Sequence, residues 1–371
     1  MTQKLFFSSS LNGLLDLLEQ QIAESPIDPL KIRTLLVPNG QVRQWLFLEI
    51  AKRQGIAMGL KILEVEHLYP KAINPLQMFC LIYAALSESS DPQLLSYLGG
   101  KKRRLMDLSE ELSRLFFKYG LFDPLLFEGK NRGWQQEILH KLFVEGPWRL
   151  PVQQKVVLEE PVICFGIDDL PPIYWEFLFG APSLSIYLFS PSVHFWTDLA
   201  SDRERKQMHR YWKSRGVAKN SCDQLDAYLK EAPKTLANWG RLGRETLKIL
   251  DLYDLETESH YPAFEPDTLL KQVQFDLLLF QETHNPQIDD SIKVLLTGSS
   301  RLKEIEALRN EILKMDIPYH EISVLAPDIE PYVPLIEFVF SPDIPYRISD
   351  FDIAPQSSFR QGLVRLLDLS A

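Results

Sequence analysis

The sequence predicts an α/β protein built on a parallel sheet, with a helical block inserted into its first domain and part of a second α/β domain after it. Three observations carry this. Short apolar runs at residues 4–7, 34–37, 161–167 and 184–189 alternate with stretches whose apolar residues recur every three to four positions. Residues 71–145 keep only the helical period. After residue 290 the alternation resumes, with apolar runs at 293–296 and 322–326 flanking a helix that carries Leu302, Ile305, Leu308 and Ile312. The expected division is residues 1–70 and 155–285 as one interrupted domain, 71–154 as the helical insertion, and 286–371 as the truncated start of another domain.

The first run leads through Ser8, Ser9 and Ser10 into a helix that carries Leu11, Leu14, Leu15, Leu18 and Ile22 on one face. Pro26 and Pro29 end that helix by removing amide donors. The turn Ser8-Ser9-Ser10-Leu11-Asn12-Gly13 occupies the place of a phosphate-binding loop. Such a loop needs closely spaced glycines, a lysine for the terminal phosphates and a hydroxyl for Mg²⁺. Here Gly13 stands alone, and no lysine occurs from residue 6 to residue 30. A P-loop-type architecture is therefore expected to have lost its phosphate site. The second run turns at Pro38-Asn39-Gly40 into a helix striped by Val42, Trp45, Leu46 and Ile50. Gln41, Arg43 and Gln44 stand at its start, on the sheet edge where open α/β sheets bind ligands.

Within the helical block, Leu108, Leu112, Leu115, Phe116 and Tyr119 form the best-marked face. Residues 198–216 read as a charged helix or loop, 239–254 as a helix, and 356–371 as an amphipathic helix.

With 371 residues and 45% hydrophobic content the chain can bury a large core. No apolar run reaches membrane-spanning length and no signal-peptide core follows the first residues, so a cytoplasmic location is the expectation. Cys80, Cys164 and Cys222 are odd in number and far apart, which suits reduced thiols better than disulfides or a zinc site. The histidines show no metal-ligand spacing. A formal charge of −10 repels DNA, so contact with nucleic acid requires a local basic surface.

Leu35-Leu36-Val37 through Gln44-Trp45-Leu46, Gly55-Ile56-Ala57, Leu170-Pro171-Pro172-Ile173-Tyr174, Leu188-Phe189-Ser190-Pro191 and Trp239-Gly240-Arg241-Leu242-Gly243-Arg244 occur in this order. In order and spacing they resemble the RecC family, the gamma subunit of exodeoxyribonuclease V. The resemblance continues from Ser300 to Glu306, and from Ala326-Pro327-Asp328-Ile329 to Ser349-Asp350. It implies an inactive superfamily 1 helicase-like fold, with 1–70 and 155–285 as domain 1A, 71–154 as 1B and 286–371 as the start of 2A. It also implies a non-catalytic subunit that guides DNA strands from double-stranded ends and scans one of them for Chi. RecB-like and RecD-like partners would supply the chemistry that uses ATP and Mg²⁺, with no cofactor in this chain.

A helicase would place two carboxylates at the end of the 161–167 run, for Mg²⁺ and the attacking water. Phe165 and Gly166 occupy those positions, while Asp168 and Asp169 lie beyond, where they suit capping or solvating a turn. The degenerate ATP site is thus Ser8, Ser9, Ser10, Gly13, Phe165 and Gly166. Two positions carry over from the family's DNA tunnel, Gln44 and Leu115, and Gln44 has the donor and acceptor needed to read a base edge. Pro38, Gly40, Glu64, Arg114, Phe117 and Asp123 depart from the family's pattern.

Arg114, Phe117 and Lys118, at i, i+3 and i+4, would set a stacking ring between cations. Lys101-Lys102-Arg103-Arg104 could contact phosphate. Residues 203–215 form the most basic, aromatic-interleaved stretch, with Arg205, Arg210 and Trp212 as the expected DNA contacts. The competing readings are an assembly scaffold without DNA contact and a metal-dependent hydrolase using Asp168 and Asp169.

Overall fold

The structure, a computed structural model, describes residues 3–24, 32–65, 73, 75–120, 133–150, 158–216, 233–296, 298, 300–341 and 343–349. Cys222, Asp123 and the expected helix at 356–371 lie outside them. The chain divides into two compact units, Met1–Ser291 and Ile292–Ala371.

The first unit is organised by six strands: β1 (Gln3–Ser8), β2 (Arg33–Val37), β3 (Leu60–Glu64), β4 (Val162–Phe165), β5 (Leu184–Phe189) and β6 (Glu256–Ser259). They form one parallel sheet in the order β3-β2-β4-β5-β1-β6. Because strand side chains alternate in direction, the apolar runs feed two cores at once. Phe6, Leu35, Val37, Phe165 and Tyr187 meet α1 (Leu11–Glu24) and α2 (Gly40–Gln54). Leu5, Leu36, Val162, Cys164, Leu184, Ile186 and Leu188 face the opposite way. They pack with α7 (Pro172–Phe179), α9 (Lys234–Trp239) and α10 (Arg241–Leu250), giving a helix, sheet, helix sandwich.

The central strands were legible as apolar runs, whereas both edges were missed. All four residues of β6 are exposed and polar, and the strand exists because its backbone pairs with β1, where Lys4 also reaches Glu258 at 3.2 Å. Half-buried β3 covers the other edge. Leu170-Pro171-Pro172 proves to be the entry to α7, whose first residue is Pro172, a position that needs no amide donor. The helix expected at 239–254 is α10, and a second short helix that was not expected, α9, precedes it across Gly240. There the indole of Trp196 lies so close that a Cβ on Gly240 or Gly243 would come within 2.8 or 2.7 Å of it. The glycines of Trp239-Gly240-Arg241-Leu242-Gly243-Arg244 let α9 and α10 close over that ring. Residues 198–216 resolve into a loop and α8 (Asp202–Ser214), whose start carries a reciprocal cap between Ser201 and Glu204.

The helical block has its own core. Helices α3 (Pro75–Ser87), α4 (Pro92–Leu98), α5 (Lys102–Tyr119) and α6 (Trp134–His140) bury Met78, Ile82, Leu86, Leu94, Leu98, Leu112, Phe116, Ile138 and Phe143 together. Asp91 caps α4, and Gly99, in the left-handed region at φ 53°, ends it. Leu115 departs from expectation, standing 36% exposed beside the buried stripe. The stripe follows the 3.6-residue period through Leu112 and Phe116, which turns Leu115 outward.

After α11 (Leu269–Leu279) of the first unit, the second unit contains α12 (Arg301–Lys314) and α13 (Val333–Phe340), packed through Ile305, Ile312, Ile336, Phe340 and Ile344. Ser300 caps α12 by accepting from the Lys303 amide. The strands expected at 293–296 and 322–326 do not form among the described residues: both stretches are unpaired, with Leu296 96% and Leu325 94% exposed. A strand needs a neighbour to take its amides and carbonyls, and neither stretch has one there.

Candidate nucleic-acid interface

All six strands run the same way, so their carboxyl ends share one edge, where Ser8, Val37, Glu64, Phe165, Phe189 and Ser259 end them. At β1 the turn into α1 is closed by its own side chains. The fully buried Ser8 accepts from the Ser10 amide at 3.4 Å, and Ser10 accepts from the Gly13 amide at 3.0 Å. A Cβ on Gly13 would fall 2.2 Å from the Ser8 hydroxyl. Gly13 therefore serves close packing of the helix on Ser8. Ser9 is half-buried between them.

At β4 the Phe165 ring is fully buried, with Trp45 of α2 and Tyr187 of β5 at centroid distances of 6.2 and 6.0 Å. Gly166 follows in the left-handed region, φ 66°, and donates its amide to the Tyr187 carbonyl at 2.9 Å. Although Asp168 stands exposed, desolvation of its carboxyl by the surrounding chain, then the neighbouring Asp169, push it up to about 6. The backbone carbonyl of Asp168 is held by the Thr246 hydroxyl at 2.6 Å. Among the described residues no three His, Cys, Asp or Glu side chains are placed to share a metal ion. Cys164 is buried, and burial pushes its thiol far upward, as suits a core filler.

The start of α2 is likewise satisfied from within. Asn39 accepts from the Gln41 and Val42 amides at 3.1 and 3.0 Å, and Arg43 pairs with Glu64 at 3.5 Å. Gln44, one turn into the helix, is exposed. Phe47 and Leu48, three and four residues later, share its face and are 49% and 56% exposed. Sequence reasoning passed over both. Their signal was present, since two large apolar residues stand off the Val42, Trp45, Leu46, Ile50 stripe.

On α5, Leu115 and Lys118 are exposed, and Arg114 is exposed but pairs with Glu110 at 3.3 Å and Glu111 at 3.5 Å. The Phe117 side chain lies outside the described residues, so the expected ring between two cations is not described. Lys101, Lys102, Arg103 and Arg104 are exposed around the first turn of α5, which has no side-chain cap. Arg104 bonds the Tyr97 carbonyl at 2.7 Å and lies over its ring.

On α8 the three expected contacts separate. Arg210 faces solvent. Arg205 and Trp212 are half-buried on the inner side, Arg205 reaching Asp202 at 3.9 Å and Trp212 contacting the His209 ring. The inner side also holds an ion pair. Arg244 of α10, 1% exposed, donates to Glu204 at 2.9 Å and to the Ala237 carbonyl. Burial disfavours the Glu204 carboxylate, but hydrogen bonds from Ser201 and the Arg244 and Lys248 charges outweigh it and hold the group below its ordinary value. Arg203, Lys206 and Lys213 join Arg210 on the exposed side.

The family model described as "RecC, N-terminal domain" matches residues 4–279. The RecBCD enzyme subunit RecC of Haemophilus influenzae is 24% identical, the match covering 93% of this chain and 40% of that protein. The same subunit of Escherichia coli K12 is 24% identical over 99% of this chain and 41% of its own length. The Buchnera aphidicola subunit is 20% identical over 93% and 38%. The chain thus spans about two fifths of the length of the curated relatives it matches. No helix among the described residues is long and apolar enough to cross a membrane. The colinear motifs, the parallel sheet they build and the family match over residues 4–279 together establish that this chain belongs to the RecC family.

Proposed function

We propose that this chain is a non-catalytic, helicase-like element of a RecBCD-type helicase and nuclease, guiding DNA strands in recombinational double-strand break repair. In this reading domain 1A spans residues 1–70 and 155–285, 1B spans 71–154, and 2A begins at 286. The observation that carries it is the self-closed turn at β1: the Ser10 and Gly13 amides bond to Ser8 and Ser10 instead of facing a phosphate. The buried Phe165 at β4 supports the same conclusion, since a benzyl group there offers nothing to Mg²⁺ or water. Gln44, exposed on the same sheet edge beside Phe47, has the groups to touch a base edge while a ring stacks. ATP and Mg²⁺ would be used by RecB-like and RecD-like partners. Scanning for Chi is the finer step, resting on Gln44 and Leu115.

Co-expression of the chain with RecB-like and RecD-like subunits, followed by ATP-driven unwinding of a blunt duplex, tests this. Co-purification and unwinding are expected, and failure of either refutes the assignment. One observation favours a pure assembly scaffold: Phe47, Leu48, Ile56 and Met58 expose apolar surface that a protein partner could cover. Under that reading the complex forms, but Gln44→Ala and Lys118→Glu leave DNA affinity unchanged. The metal-dependent hydrolase reading requires site-specific Mg²⁺ binding that Asp168→Ala abolishes.

A further inference from the structure

We infer that the outer face of α8 is a track for the phosphodiester backbone of DNA, separate from the Gln44 edge. Arg203, Lys206, Arg210 and Lys213 recur at intervals of three, four and three residues, and all four are exposed. That spacing lines them along one side of the helix over about 15 Å. One DNA strand presents a phosphate every 3.4 Å or so along a duplex, so this length faces roughly four or five of them.

The helix sorts its charges. Its two carboxylates are engaged at its first turn, Asp202 with Asn238 and Arg205, and Glu204 with Ser201 and Arg244. Gln207, Tyr211 and Ser214 are also exposed, and beyond Asp202, 59% exposed one turn before Lys206, the outer face carries no carboxylate. Among the described residues no acidic side chain lies in ion-pair range of the four outer cations. In a chain of net charge −10 this is a strong local reversal of sign. Tyr211, 57% exposed with the Arg215 guanidinium 5.5 Å from its ring centre, adds a surface on which an unpaired base can stack. The aromatic ring and the regular row favour nucleic acid over an acidic protein.

Through Glu204, Asp202 and their partners α8 is fastened to α9 and α10, on the side of the sheet opposite α1 and α2. The track and the Gln44 helix thus sit on different faces of the first unit. The inference rests on the DNA-handling reading but names a surface that reading does not require.

The test is fluorescence anisotropy of a labelled 20-base-pair duplex, a labelled 20-nucleotide single strand and a labelled polyglutamate peptide, each titrated with the chain across a salt series. The variant is Arg203→Gln, Lys206→Gln, Arg210→Gln and Lys213→Gln together. Lys52→Gln with Lys61→Gln serves as an exposed control elsewhere, and circular dichroism checks that each variant keeps its fold. The expected result is that the α8 variant loses about 100-fold in affinity and about three units of salt slope, while the control loses little. Loss confined to the duplex or single-strand arm identifies which DNA the track holds. Unchanged DNA binding by a folded α8 variant overturns the track and leaves the strand-guiding reading intact. Tighter α8-dependent binding of the peptide than of either DNA overturns it in favour of an acidic partner. Failure of the unmodified chain to bind either DNA overturns both readings.

Discussion

Arg244 shows how one residue holds the charged flank together. Its guanidinium is buried and answers Glu204 and the Ala237 carbonyl, so α8, α9 and α10 meet through one side chain. Removing the carboxylate leaves a buried charge without its counter-ion. Glu204→Ala is therefore expected to cost about 3 kcal/mol. Arg244→Met, which removes the charge and keeps most of the volume, should cost less, and urea unfolding of both variants checks the order. Titration gives the two notable acids opposite signs. Folded Asp168 keeps its proton up to about pH 6 against 3.8 in its ordinary state, so the folded chain binds extra protons between those values and gains stability as pH falls from 7 toward 4. Asp168→Asn should remove that gain and be the more stable form at pH 8, by roughly 1 kcal/mol after solvent screening. Glu204 behaves the other way: its folded value is lowered, so its contribution is present above its ordinary 4.5 and lost as pH falls below it. Urea midpoints at pH 8, 6, 5 and 4 separate the two. Phe165 was readable from sequence as a missing carboxylate; its stacking against Trp45 was not, because that contact depends on how α2 lies on the sheet.

Among the elements, the turn from β1 into α1 makes the sharpest prediction. Helix propensity alone would favour Gly13→Ala by about 1 kcal/mol. The added Cβ would overlap the Ser8 hydroxyl, so the substitution is expected to destabilise by about 1–3 kcal/mol, with partial rescue by Ser8→Ala. A thermal or urea double-mutant cycle reads the coupling. Legibility followed burial. Strands β1, β2, β4 and β5 are apolar on both faces and stood out, whereas β6 is four exposed residues whose only signal is backbone pairing with β1. The runs at 293–296 and 322–326 had strand composition, but composition supplies no neighbour to pair with. On α8 the basic content was visible, but which cations face out depends on how Glu204 and Asp202 fasten the helix to Arg244 and Asn238. The Gln44 face was half legible, since Phe47 and Leu48 read as ordinary apolar residues until the helix was placed.

At the scale of the whole molecule, a three-layer unit of the RecC family keeps the form of a parallel α/β sheet while filling its β1 turn with its own hydroxyls. The carboxyl edge of the sheet exposes Gln44 and Phe47 on α2, and the opposite flank exposes the α8 cations. DNA is expected to have replaced nucleotide as the ligand of this unit. The most direct measurement is anisotropy of a labelled single-stranded oligonucleotide titrated with the chain, with and without millimolar Mg·ATP, using Mg·tripolyphosphate at equal ionic strength as control. The predicted result is saturable DNA binding whose affinity is the same in Mg·ATP and in the control. Absence of DNA binding, or an isotherm shifted by Mg·ATP beyond the control, would contradict it.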